Sequence, residues 1–149
     1  MQLSEHFTLE EMCASQVAAR RGLDNTPGPV ELANLQRTAA AMEQVRTILG
    51  DKPIHVDSGY RSPLVNASVG GVSDSAHVKG LACDFVCPGF GAPVKVALAI
   101  LRSDIEYDQL ILEYGWVHVG LAQEGSVFRR EVLTKRSPET PYEAGIIAF

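Results

Sequence analysis

The segment SAHVKGLACDF, residues 75–85, places a histidine and a carboxylate seven residues apart, and its second half predicts a strand. His77 precedes the strand, and Asp84 lies inside it among apolar neighbours. A carboxylate in an apolar strand costs free energy unless a cation or a hydrogen-bond donor pairs with it. The segment therefore predicts a partner for Asp84 in the folded protein. Gly80 permits a turn that lets both side chains face one point.

Apolar periodicity on the N-terminal side of this segment predicts helices. Thr8 and Glu11 have the spacing of a capping box, so we expect one helix to start there, to run to about Arg21 and to end at Gly22. A longer helix is expected from about Pro29 to Leu49, because apolar residues recur there at helical spacing. Its predicted core face consists of Leu32, Leu35, Ala39, Met42, Val45 and Leu49.

Strands dominate the rest of the chain. A short strand is predicted within KPIHVDSGYRS, and residues 59–76 are predicted to be a long loop, which in a compact domain is usually functional. A helix is predicted at APVKVALAILRS, followed by strands at YDQLILEY, WVHVGLA and VFRREVLT and an irregular tail. This order predicts an α+β class, with a small antiparallel sheet packed against helices and a β-meander at its end.

Length and charge limit the class of protein. With 149 residues and a net charge of −5, the chain fits one domain, residues 1–149, without the basic surface typical of nucleic-acid or membrane-surface binding. Its three cysteines form no CxxC pair, so we expect reduced apolar residues and not a zinc–thiolate site. The N-terminus lacks a signal-peptide pattern. We expect a monomer, synthesised in the cytoplasm, that binds neither nucleic acid nor membrane.

A second histidine extends the pattern around Asp84. His118 in WVHVG shares one face of its predicted strand with Trp116 and Gly120. Together, His77, Asp84 and His118 are typical of catalytic zinc sites, which take three protein ligands and leave one position for water. Zn²⁺ would then be the partner that Asp84 needs. The alternative for His118 alone is a core or rim histidine satisfied by a hydrogen bond.

Three segments, SGYRSPLVN, SAHVKGLACDF and WVHVG, resemble the three motifs of the zinc D-alanyl-D-alanine carboxypeptidase family, in the same order. That family also includes D,D-dipeptidases and phage endolysin peptidases. FTLEEM and DNTP resemble its small stand-alone branch, often encoded by phages or prophages, so the resemblance covers roughly residues 4–122. It implies a hedgehog/D-Ala-D-Ala-peptidase-like fold, a Zn²⁺ cofactor and a peptidoglycan stem peptide as substrate.

The resemblance also implies roles for individual residues. The zinc ligands would be His77, Asp84 and His118. Arg61 matches the family arginine that holds substrate near the metal, a task suited to its two-pronged guanidinium, although it could instead pin the loop. Ser75 matches a serine that lines the site. Either Tyr60 and Trp116 wall the substrate cleft or they are ordinary core aromatics.

The general base is left open by the motif pattern. Many members of the family carry an acid three residues before the last histidine, where this sequence has Gly115. Glu113 is the nearest acid, and we predict that a tight turn folds it back towards the metal; the alternative is an exposed glutamate at a strand end. Asp108 and Asp57 are weaker candidates.

Three functions are consistent with these patterns. The first is a zinc peptidase that cleaves peptidoglycan stem peptides as a D,D-carboxypeptidase or as an endolysin-type endopeptidase with holin-dependent access to the cell wall. The second is a non-catalytic zinc-bearing module of the same fold that binds cell wall or belongs to a phage tail. The third is a metal-free structural domain.

Overall fold

The computed structural model describes residues 1–149 as five helices and a six-stranded sheet. None of the helices has the length and apolar composition needed to cross a membrane. The helices are α1 (Leu9–Met12), α2 (Gln16–Arg21), α3 (Pro29–Ile48), α4 (Pro63–Ser68) and α5 (Pro93–Leu101). The strands are β1 (His55–Ser58), β2 (Ala82–Val86), β3 (Gln109–Leu112), β4 (Val117–Gly120), β5 (Glu131–Thr134) and β6 (Glu143–Ala144).

The N-terminal helix begins and ends as predicted but is interrupted. The capping box of Thr8 and Glu11 is present, and Gly22 ends α2 in the left-handed conformation. The prediction of one continuous helix was wrong, because Ser15 starts a second helix by accepting a hydrogen bond from the Ala18 N–H. Serine competes with the helix backbone in this way and is favoured at an N-cap.

The long helix α3 forms as predicted, and a short helix, α4, forms where a loop was predicted. The predicted face of α3 is buried, apart from Leu32, which is half-buried. Within the predicted loop 59–76, Ser62 caps α4 and Pro63 occupies its first turn. Proline at this position costs no hydrogen bond, which explains how a short helix forms in a segment rich in Gly, Ser and Asn.

The strand order is β1-β2-β4-β3-β5-β6. The α+β class is confirmed, but the sheet is mixed because β5 runs parallel to β3 while every other pair is antiparallel. The predicted β-meander was therefore wrong: after β4 the chain crosses back and adds β5 to the far side of β3. Parallel neighbours need a long connection, and here residues 113–130, which include β4, provide it.

Alternation along β2 and β4 separates core from site. Cys83 and Phe85 on β2, together with Val117 and Val119 on β4, belong to the main hydrophobic core. The residues between them, Asp84 and His118, therefore point to the opposite face of the sheet.

Cys13, Cys83 and Cys87 are all free thiols, as expected.

Candidate metal centre and active-site cleft

Asp84 and His118 face each other across neighbouring strands. They are direct partners in the β2–β4 register, and the His118 Nδ1 lies 2.8 Å from the Asp84 Oδ1. Both residues are nearly buried, at 8% and 7% exposure. Their mutual position is thus set by the sheet hydrogen bonds and by the core beneath it.

His77 reaches the same carboxylate from the turn before β2. Its Nδ1 lies 2.6 Å from the Gly59 carbonyl oxygen, to which it donates a hydrogen bond when that nitrogen is protonated. The Nε2 then carries the lone pair, and it lies 3.2 Å from the Asp84 Oδ2. Gly80 makes the turn possible: its φ is +75°, and a Cβ there would lie 2.6 Å from the Glu31 carbonyl oxygen.

The carbonyl that orients His77 is itself held by the N-terminal helices. A Cβ on Gly59 would lie 2.3 Å from the Met12 carbonyl oxygen, so only glycine permits this close approach. Asn25 donates to the carbonyl oxygens of Cys13 and Tyr60 and accepts from the Ser62 N–H. Asn25 thereby fastens the Arg61 segment to the end of α1, a role that sequence analysis did not find, although DNTP carried a family likeness.

The three side chains fit a zinc ion. They offer two imidazole nitrogens and a carboxylate oxygen within 4.8 Å of one another, and all three residues are buried. The His118 Nε2 is buried without a hydrogen-bond partner. Two histidines and one carboxylate are a ligand set known from catalytic zinc sites. Burial raises the pKa of Asp84, but the charges and hydrogen bonds of His77 and His118 outweigh burial and leave this pKa below its usual range.

These residues open onto a large cleft. A cavity of about 1060 Å³ is lined by the three candidate ligands and by Arg61 and Ser75, as well as by Glu113 and Trp116. Tyr60 does not line it: its side chain is 5% exposed and packs in the hydrophobic core, so the prediction that it walls the cleft was wrong. The Tyr60 N–H donates to the Met12 carbonyl oxygen at the end of α1, which holds this residue against the N-terminal helices.

Arg61 carries a partly buried guanidinium at the cleft. Its backbone N–H donates to the His77 carbonyl oxygen, which ties it to the ligand turn. Its Nη2 lies 3.4 Å from the Ser75 hydroxyl, and its Nε is buried without a partner. Burial lowers the pKa of Arg61, while the Asp84 and Glu113 charges oppose that effect. A desolvated cation with unused hydrogen-bonding capacity is suited to bind a carbonyl or carboxylate.

Glu113 turns into the cleft at the tip of the β3–β4 hairpin. Its backbone N–H donates to the Trp116 carbonyl oxygen, and Gly115 between them has a φ of +134°. The Trp116 Nε1 donates to the Glu113 Oε2 at 3.0 Å. Burial and the nearby Asp84 charge raise the pKa of Glu113, although the Trp116 hydrogen bond opposes the rise. The structure thus places a carboxylate of raised basicity in the same cavity as the candidate ligands.

The other two candidate bases have different surroundings. Asp108 accepts hydrogen bonds from the Arg129 Nε, Nη2 and backbone N–H, which leaves its oxygens engaged. Asp57 does not line the large cleft but a second, smaller cavity. The cleft also has a wall from the C-terminal segment, defined as residues 121–149, which includes Lys135 and Tyr142. No local pattern in the sequence indicated that wall, because it depends on the parallel pairing of β5.

Two sequence comparisons identify relatives of this chain. The sequence model described as Peptidase M15 matches residues 5–120. A zinc D-Ala-D-Ala carboxypeptidase of Streptomyces albus G is 42% identical over 67 residues, which is 45% of this chain and 25% of that protein. The chain thus matches about a quarter of the length of this curated relative. The resemblance of the three motifs to this family is confirmed.

Proposed function

The chain belongs to the peptidase M15 family, and on that basis we propose that it is a zinc metallopeptidase that hydrolyses amide bonds in peptidoglycan stem peptides. We treat residues 1–149 as one catalytic domain. The observation that carries the proposal is that one cavity brings together His77, Asp84 and His118 with the guanidinium of Arg61 and the carboxylate of Glu113. The substrate class follows from the relative, which is named for D-Ala-D-Ala.

His77, Asp84 and His118 would hold the zinc ion. When bound, zinc supplies a Lewis acid that polarises a carbonyl and makes water nucleophilic near neutral pH. The hydrogen bond between His77 and the Gly59 carbonyl fixes the ring so that Nε2 faces the site. Such outer contacts orient metal ligands and raise their basicity.

Glu113 is the proposed general base. Its Oε2 accepts the Trp116 Nε1–H, which leaves Oε1 to take a proton from the attacking water and to pass it to the leaving amine. A base is most effective when its pKa lies near the working pH, and burial raises the pKa of Glu113 in that direction. Partial burial of Glu113 thus supports both proton transfers, from the attacking water to Glu113 and from Glu113 to the leaving amine.

Arg61 is the proposed substrate-holding residue. Its guanidinium lines the cleft and is suited to bind the substrate carbonyl or a nearby carboxylate, and to stabilise the oxygen that becomes negative during attack. The hydrogen bond from the Arg61 N–H to the His77 carbonyl oxygen keeps the Arg61 backbone next to the turn that carries His77. Ser75 supports the guanidinium through its hydroxyl.

The test is digestion of purified peptidoglycan followed by mass spectrometry of the released fragments. We expect zinc-loaded protein to release stem-peptide fragments, and a chelator to abolish release until zinc is restored. The masses identify the cleaved bond and separate a D,D-carboxypeptidase from an endolysin-type endopeptidase. Zinc-loaded Glu113→Gln protein is the control for contaminating hydrolases. Stoichiometric zinc without any release from peptidoglycan or from synthetic stem peptides would overturn the peptidase proposal in favour of a binding module.

A further inference from the structure

A second cavity, of about 320 Å³, adjoins the cleft and has no role in the chemistry above. Arg61, Val69, Asp84 and Trp116 line both cavities, so the two meet at the candidate catalytic centre. The remaining wall comes from the junction of α1 and α2 and from β1. Its volume lies at the lower end of the range for cavities that bind small ligands.

We propose that this second cavity is a subsite for a primary amine of the substrate peptide and that the Asp57 carboxylate recognises the amine. The inference rests on the proposed function, because it takes the substrate to be a peptide whose cleaved bond lies where the cavities meet. It adds a residue that selects one chemical feature of that peptide.

The position of Asp57 supports this role. Asp57 lies at an irregularity in the β1–β2 register, directly before Ser58, which is the register partner of Asp84 on β2. Its side chain is 38% exposed, which makes it accessible from the cavity while part of its hydration is lost. A carboxylate in this state gains more from a cation than a fully hydrated one does.

The charges around Asp57 leave it without a strong partner. The one ion-pair contact is with the His55 Nε2 at 3.4 Å, and that ring is 74% exposed. Arg61 forms no salt bridge with Asp57 and lines both cavities, whereas Asp57 lines the second cavity alone. An incoming ammonium therefore meets an acid at one end of the cavity, and a substrate carbonyl meets a guanidinium where the cavities join. Ser15 and Gln16 also line this second cavity.

The experiment compares two synthetic stem peptides that differ only in acetylation of their amines. With zinc-loaded wild-type protein, we expect kcat/KM for the free-amine peptide to exceed that for the acetylated one by about 3- to 30-fold, mainly through KM, the scale of one charge-assisted contact at a partly exposed site. Asp57→Asn should make the two peptides equivalent. Asp57→Glu keeps the charge and should keep part of the preference.

Controls separate this inference from the proposed function. Asp104→Asn, at an exposed position away from both cavities, should keep the wild-type preference. Calorimetric binding of both peptides to Glu113→Gln protein measures amine recognition without turnover. Hydrolysis with no amine preference, or an Asp57→Asn protein that retains the preference, would overturn the subsite alone. Amine-dependent binding that Asp57→Asn removes, without any hydrolysis by wild type, would support the subsite and reject the peptidase.

Discussion

The floor of the cleft and its C-terminal wall are attached to the protein in different ways. On the floor, Asp84 and His118 alternate with core residues of β2 and β4 and are almost completely buried. The wall consists of the C-terminal segment, in which Val127 is 88% exposed. It joins the sheet through β5, at the far side of β3. The family match ends at residue 120, so it includes the floor and excludes the wall.

This difference separates two tasks. Contacts that hold the core together also hold Asp84 and His118, so a change that displaces either of them must disturb the sheet. The wall can change its side chains without moving β2 or β4. We infer that folding of residues 5–120 fixes the chemistry, while the C-terminal segment shapes what enters the cleft. Substitutions on the floor should therefore affect metal binding and catalysis, whereas substitutions on the wall should leave the metal site unchanged.

The largest effect is expected for the candidate metal ligand in the turn before β2, which completes the site on the floor. His77→Ala should reduce zinc from one ion per chain to near zero and reduce hydrolysis to background, because three ligands leave none to spare. Zinc at about 1000-fold above its dissociation constant should stabilise wild type by about 4 kcal/mol and the variant by almost nothing. Metal analysis and thermal unfolding with and without zinc measure both. His6→Ala, at the contact with Glu43 on α3, is the matched control. Full zinc content in His77→Ala would remove our ligand assignment.

Glu113→Gln should leave zinc binding intact and lower kcat by about 10²- to 10⁴-fold, since glutamine keeps the shape but cannot accept the proton. Single-turnover kinetics and metal analysis on the same sample separate the two effects. Glu106→Gln, at an exposed position, is the control. Wild-type turnover in Glu113→Gln would transfer the role of base to another residue.

Arg61→Lys should keep zinc and lose about 10- to 10³-fold in kcat/KM, because an ammonium does not reproduce the guanidinium fork. Arg102→Lys on the exposed end of α5 provides the comparison. Kinetics that match wild type would mean that Arg61 serves only to hold its loop through the backbone bond to His77.

Trp116→Phe tests the contact between the hairpin tip and the base. The Trp116 hydrogen bond lowers the pKa of Glu113, so its loss should raise that pKa and move the acidic limb of the rate profile to higher pH. At a pH on that limb we expect about a ten-fold loss, the scale of one hydrogen bond to a charged group. In the Glu113→Gln background, which lacks this titrating group, the same substitution should leave the remaining pH dependence unchanged. An unshifted limb in the single variant would show that Trp116 does not act on the base.

The sequence predicted the floor better than the wall for a physical reason. Strand alternation within β2 and within β4 separates Asp84 and His118 from their core neighbours, and the resemblance of the three motifs to a known family pointed to the same residues. The pairing of β5 depends on contacts between distant segments, and no local pattern encodes it. The prediction for Tyr60 fails in the same way, because this residue packs in a core built from distant segments and its N–H donates to the Met12 carbonyl oxygen. The cap at Ser62 was a local signal for α4, but the surrounding polar residues favoured a loop prediction.

The smallest effect is expected where the wall is fastened to the sheet. Hydrogen bonds from Arg129, opposed by partial burial, lower the pKa of Asp108, and the Arg129 side chain is 60% exposed. Because the folded-state pKa lies below the unfolded one, the pair stabilises the protein above about pH 4 and loses this contribution as the pH falls. Asp108→Asn should therefore cost about 0.2–1 kcal/mol in the free energy of unfolding at pH 7, and less in acid.

Urea unfolding of the metal-free protein at both pH values measures this cost, with Asp104→Asn as the unpaired control, and hydrogen exchange locates it. If wall and floor are separate, exchange should rise at the β5 amides and stay unchanged at β2 and β4, and zinc affinity should not move. The Glu131 N–H, which donates to the Asp108 carbonyl oxygen, is retained in the variant and limits the loosening. A fall in zinc affinity that parallels the loss of protection in β5 would show that wall and floor form one cooperative unit, and that the C-terminal segment contributes to the metal site as well as to the shape of the cleft.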